Sequence, residues 1–264
     1  MVVVDFDRLH SDGFITIGGL LDQSELERFE DTIATLVCAH TKSKGIQPVH
    51  VDPFEDIFCV GGAYTGRLYE LMERLNILQQ ITARVSAYLE KAGFFDWAKI
   101  DVPLVWPDIR ADLRSDQARS LPVHQDFGSM KCKKAWRLWI PLRPSNEQLG
   151  SMRAYPGTHK MGVVSHNVSD PLRPRIDQEL YAGVDDVVFD LPAGDAVLID
   201  PLLFHASVPN ASETTKFTLM IQIQDLASMI DPTETSSPYH SFTQVTEIRS
   251  KARQKAASAS PGAR

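Results

Sequence analysis

Leu121-Pro-Val-His-Gln-Asp-Phe127 is the stretch from which the rest of the chain can be read. His124 and Asp126 stand two residues apart within it. In a β-strand, side chains alternate faces, so positions i and i+2 project to the same side. A strand over 121–124 would therefore set an imidazole and a carboxylate next to each other. Alone, a His-x-Asp tripeptide is a weak signal, because such tripeptides often serve as surface turn chemistry. Here it lies between an apolar strand start and an aromatic residue, which favours a site over a solvated turn.

A third ligand should come from a histidine near the end of another strand that returns to the same spot. Ala196-Val-Leu-Ile-Asp-Pro-Leu-Leu-Phe204 is an apolar run, and His205 ends it. Two histidines and one carboxylate on one face of an octahedral metal leave adjacent positions open, the pattern of non-haem Fe(II) oxygenases. The expected metal ligands are His124, Asp126 and His205.

Composition narrows the class. Of the 264 residues, 43% are hydrophobic and 23% charged, which is ordinary for a globular domain and carries no signature of disorder. A net charge of −7 argues against a nucleic-acid partner, which would call for a basic balance. Three scattered cysteines, Cys38, Cys59 and Cys132, form no Cys-x-x-Cys pair and suggest neither a zinc ribbon nor a disulfide framework. No apolar run approaches the ~20 residues of a membrane span, and Met1-Val-Val-Val4 is too short for a signal-peptide core. The expectation is a soluble, cytoplasmic protein.

Asp12-Gly13 signals a turn before a short β-prone run, Phe14 to Ile17. Asp22 is expected to cap a helix, with Glu25 in capping-box spacing and Leu26, Phe29, Ile33, Leu36 and Val37 on one face. A second helix runs through Leu75, Leu78, Ile81, Val85 and Leu89 to Gly93. Residues 41–65 between them read as an irregular loop. From about Lys99 the texture changes to short β-prone runs: 102–106, 121–124, 135–142, 151–155, 187–189, 196–199, 203–208 and 217–224. Turn clusters such as Pro144-Ser-Asn146 and Pro192-Ala-Gly-Asp195 separate them. Eight short strands so punctuated predict an antiparallel sandwich or jelly roll, with the helices on one side in an α+β arrangement. Residues 249–264, rich in Ala, Ser, Lys and Arg, read as a disordered tail.

Several segments together then resemble the phytanoyl-CoA dioxygenase family, a branch of the Fe(II)/2-oxoglutarate oxygenases with a double-stranded β-helix core. They are Asp12-Gly-Phe-Ile-Thr-Ile17, Val123-His-Gln-Asp126, Gly150-Ser-Met-Arg-Ala-Tyr-Pro-Gly-Thr-His-Lys160, Pro192-Ala-Gly-Asp195 and His205-Ala-Ser-Val-Pro-Asn210 with Ser212. Five segments in the family's order are far more specific than any one of them. The resemblance implies a single oxygenase domain over 1–248: a helical part to about residue 98, then a cupin-like jelly-roll core over about 99–228. It implies Fe(II) on His124, Asp126 and His205. It also implies 2-oxoglutarate on two of the open positions, O2 at the last, and oxidation of a small-molecule substrate.

The far carboxylate of 2-oxoglutarate needs a cation, which the family usually supplies as an arginine eleven residues after the distal histidine. Here that position is Lys216, a point charge in place of a planar fork. Ser207 and Arg110 are expected to assist it. The alternative for Lys216 is a strand-edge charge facing water. Asp112 could also reach the cavity. Trp136 and Trp139 are expected in the sheet core, with Arg137 on the opposite strand face from both. His159 is expected to fix its loop, and His10, His40, His50, His166 and His240 to lie on the surface. Cys132, flanked by lysines, is expected in an exposed loop. The presence of Asp126 argues against a halogenase, which vacates that position for chloride. A non-catalytic jelly-roll module and a cupin-like metal enzyme without 2-oxoglutarate stay open as alternatives.

Overall fold

A computed structural model describes residues 4–47, 70–72, 74–112, 120–130, 132–167, 169–170 and 173–230. The expected tail, His50, Cys59 and His240 lie outside them, as does most of the expected loop over 41–65. Residues 41–44 of that loop complete a helix.

Local chemistry sets the first elements. Asp5 caps α1 (Phe6–Asp12), and Gly13 ends it at a φ of 86°. A Cβ there would fall 2.6 Å from His159 Nδ1, so only glycine fits the turn into β1 (Phe14–Ile17). α2 (Gln23–Lys44) starts with the expected capping box: Asp22 accepts from the Glu25 N–H and Glu25 accepts from the Asp22 N–H. α3 (Asn76–Lys91) and the one-turn α4 (Phe94–Trp97) follow.

The strands are β2 (Pro103–Asp112), β3 (Ala135–Pro141), β4 (Leu149–Ala154), β5 (Val187–Val188), β6 (Ala196–Ile199), β7 (His205–Asn210) and β8 (Lys216–Asp225). They form two antiparallel sheets, ordered β1-β6-β3-β8-β2 and β5-β4-β7. This is the expected jelly roll. β2 runs six residues past the sequence expectation, through Pro107. It pairs on one side only, with β8, and an edge strand tolerates a proline whose missing N–H would find no ladder partner. Residues 121–124 do not form a strand. The stretch contributes one bridge, His124 to His205, and Pro122 lacks the N–H to extend it.

Two apolar layers cover the faces of the larger sheet. Ile109, Leu138, Leu198 and Leu219 pack against Phe29, Leu78, Val85 and Phe94 of the helices. Phe14, Trp139, Met152, Val197 and Leu203 fill the space between the sheets. Strand alternation sorts residues between these layers. The first corrects an expectation. Trp136 packs on the helical side, whereas Arg137 and Trp139, two apart, share the inner face.

Candidate metal centre

His124, Asp126 and His205 come together, all buried, with one ligand atom of each within 4.8 Å of the others. Asp126 Oδ1 stands 3.6 Å from His124 Nε2, and Oδ2 stands 3.5 Å from His205 Nε2. Ligand atoms about 2.1 Å from a shared ion would sit about 3 Å apart in neighbouring positions, so a small contraction suffices.

The histidines are already oriented. His124 Nδ1 lies 2.8 Å from the Pro122 carbonyl and His205 Nδ1 lies 2.9 Å from the Leu203 carbonyl. A carbonyl can only accept, so Nδ1 carries the proton and Nε2 offers its lone pair, as metal-bound histidines require. Burial and the neighbouring His124 push the His205 pKa down to about 4, which keeps the imidazole neutral and able to ligate at neutral pH.

The backbone around the triad is tied to distant segments. His124 and His205 exchange N–H···O=C bonds of 2.9 and 3.1 Å. Asp126 begins a 3-10 turn, Asp126–Ser129, and its N–H donates to the Pro201 carbonyl at 2.8 Å. The two ligands thus meet through this turn and not through strand alternation. Gln125, between them, is buried and works as a clamp: its amide nitrogen donates to Gly162 and Leu202 carbonyls and its oxygen accepts from the Val164 N–H. His166 accepts from the Gln125 N–H at 3.0 Å, so it is part of this support and not a plain surface residue. Thr158 accepts from the Phe204 N–H and fixes the approach to His205, and His159 contacts the His10 carbonyl, holding its loop as expected.

Sequence reasoning missed Arg137. Its Nη1 lies 3.0 Å from Asp126 Oδ2, with both side chains nearly buried. Burial alone would raise the Asp126 pKa, but Arg137, with His205 and His124, overrides it and holds the carboxyl well below the usual range. Counting strand parity from Trp139 would have placed Arg137 on the inner face.

Away from the triad lies a second polar group. Lys216 is 3% exposed, which rules out a strand-edge charge facing water. Its Nζ donates to the Gly150 carbonyl at 2.5 Å, sits 5.1 Å above the Trp139 ring and stands 4.0 Å from Asp112 Oδ2. Burial lowers its pKa to about 8, with Asp112 opposing and Arg110 adding to the shift. Arg110 pairs with Asp112 at 2.6 Å and donates to Ser207 Oγ at 3.2 Å. Thr218, paired with Arg110 in the ladder, buries a hydroxyl with no hydrogen-bond partner among the described residues. Two further expectations fail on burial: Cys132 is buried by its bridge to Met229, and His40 is buried.

A 1-deoxypentalenic acid 11-beta-hydroxylase of Streptomyces exfoliatus is 29% identical over 99 residues, 34% of this chain and 35% of that protein. The chain thus spans about a third of the length of the curated relatives it matches. The non-heme monooxygenase ThoJ superposes with a TM-score of 0.57 at 20% identity, covering 94% of this chain and 95% of that one. The epimerase SnoN, solved with Fe3+, alpha ketoglutarate and nogalamycin RO, gives 0.55 at 16% identity over 88% and 90%. The model of the phytanoyl-CoA dioxygenase (PhyH) family matches residues 9–218, and the chain belongs to that family.

Proposed function

We propose that the protein is an Fe(II)- and 2-oxoglutarate-dependent dioxygenase that hydroxylates or otherwise oxidises a small organic molecule. The observation that carries this reading is the buried His124, Asp126 and His205 set, with both Nε2 atoms already turned toward the carboxylate. In such a site, iron and 2-oxoglutarate supply the oxidation of a C–H bond by dioxygen, coupled to decarboxylation of the cosubstrate to succinate.

The chain's own residues then have distinct tasks. His124, His205 and Asp126 would hold the ion through the two Nε2 atoms and the carboxylate. Arg137 offsets the Asp126 charge and fixes which way its oxygens point. Lys216, with Arg110 and Ser207, is the anchor for the distal carboxylate of 2-oxoglutarate, and the buried Thr218 hydroxyl is placed to join it. Asp112, 2.6 Å from Arg110 and 4.0 Å from Lys216, holds both cations at this end of the sheet. Asp126 fills the position a halogenase leaves for chloride, which argues against halogenation. SnoN, named as an epimerase, shares the fold, so the fold alone does not set the outcome.

Anaerobic titration tests the reading. Fe(II) followed by 2-oxoglutarate should produce a weak visible charge-transfer band, and admitting oxygen should yield succinate. Iron binding without any band would leave a metal protein that does not use 2-oxoglutarate.

A further inference from the structure

One wall of the inner face belongs neither to the metal ligands nor to the carboxylate-binding end. In the ladder, Trp106 pairs with Gln222, and Gln222 pairs with Arg137 on its other side. This row is therefore the one that carries the Asp126 contact. Two strand spacings separate the Trp106 and Arg137 backbones, roughly 10 Å. Val105 packs toward the helices, so Trp106 projects to the inner side of the sheet, where it is 53% exposed. Asp108 follows two residues on and lies on the same side.

We infer that Trp106, Asp108 and Gln222 form the wall against which the substrate lies, and that this substrate presents an uncharged, hydroxyl-bearing ring. The inference rests on the oxygenase reading for its word substrate, though not for the wall itself.

Three features select that chemistry. The half-exposed indole offers an apolar face on the inner side of the sheet, suited to the C–H face of a ring. Gln222 accepts from Gln224 through its carbonyl at 2.9 Å, which leaves its N–H donors without a partner among the described residues. Asp108 makes no salt bridge within 4.0 Å among the described residues, although Arg137 and Arg110 act on its charge, and its carboxylate is the complementary acceptor. A donor and an acceptor flanking an aromatic face match vicinal hydroxyls.

Charge balance selects against ionic ligands. Burial raises the Asp108 pKa, Arg137 and Arg110 lower it, and Asp126 raises it. An anion in this row would meet Asp108 and Asp126. A cation would meet Arg110 and Arg137. An uncharged ring avoids both penalties.

The test uses three probes that share one ring and differ in charge: methyl glucopyranoside, its uronate and its 2-amino analogue. Saturation-transfer NMR is run on the metal-free full chain, which separates this inference from the oxygenase reading. The neutral probe should show the strongest transfer to its ring C–H protons. Trp106→Ala should weaken its binding about tenfold, equivalent to about 1.4 kcal/mol, and Trp106→Phe should recover part of the loss. Trp106 is half exposed, so the variants should fold, and circular dichroism checks that. No transfer to any probe, a preference for a charged one, or equal binding by Trp106→Ala would overturn the inference. A charge-transfer band lost while the neutral probe still binds would instead sink the oxygenase reading and leave the wall standing.

Discussion

Arg137 Nη1 stands 3.0 Å from Asp126 Oδ2, so the carboxylate of the metal motif is paired with a cation before any metal arrives. A buried carboxylate without a partner is costly, and removing one member of such a pair typically costs about 3–5 kcal/mol. Arg137→Leu should therefore destabilise the metal-free protein by about that amount. A bound divalent ion replaces the missing charge, so Ni(II) should raise the melting temperature of the variant by more than it raises that of the wild type. Equal increments in the two proteins would show that Arg137 does not serve Asp126.

Gln125 makes three side-chain hydrogen bonds that join the metal motif to residues 162–164 and 202. At about 1 kcal/mol each, their loss in Gln125→Leu should lower unfolding stability by about 2–4 kcal/mol. Denaturant titration measures this. A loss below about 0.5 kcal/mol would mean that the clamp is incidental.

The metal triad was legible because its chemistry is specific and its two motifs lie in recognisable surroundings. The jelly roll was legible because period-two runs and turn clusters are local signals. What escaped depended on partners far away in the chain. Residues 121–124 looked like a strand, yet Asp126 is held by Pro201 and His124 by His205, through contacts spanning about 80 positions. The lysines beside Cys132 suggested exposure, but pairing with Met229 buries the thiol. Arg137 was a different kind of miss. Its face follows from parity alone, and of the two tryptophans in that strand Trp139 shares it.

Lys216 is buried and sits against Gly150, so Ala would open a cavity and blur the result. Lys216→Met keeps the volume and removes the charge. A charge-assisted bond to the distal carboxylate is worth about 1.5–3 kcal/mol, so the variant should bind 2-oxoglutarate roughly 10- to 150-fold more weakly. Lys216→Arg should retain part of the affinity. Calorimetric titration with 2-oxoglutarate distinguishes anchor from bystander, and an unchanged isotherm in Lys216→Met would remove the residue from the pocket.

Acidity gives a separate check on the same residue. The Lys216 pKa is depressed to about 8 in the folded protein, so the ammonium is charged below that value and lost above it. Affinity for 2-oxoglutarate should be level near pH 7 and fall as the pH rises through 8, with proton uptake on binding in the alkaline range. The unfolded chain keeps its lysine protonated to higher pH, so this group makes folding stability rise between about pH 8 and 10.5. The two trends run in opposite directions. Affinity that stays flat to pH 9.5 would exclude Lys216 as the charge that 2-oxoglutarate reads.

The most direct measurement is an anomalous-difference map at the iron edge, from crystals grown anaerobically with Fe(II). One peak is predicted, about 2.1 Å from the Nε2 atoms of His124 and His205 and from an Asp126 carboxylate oxygen. Crystals of Asp126→Ala should lose the peak while keeping the two sheets in place. A peak elsewhere, or full occupancy in Asp126→Ala, would contradict the assignment of these three residues as the metal centre.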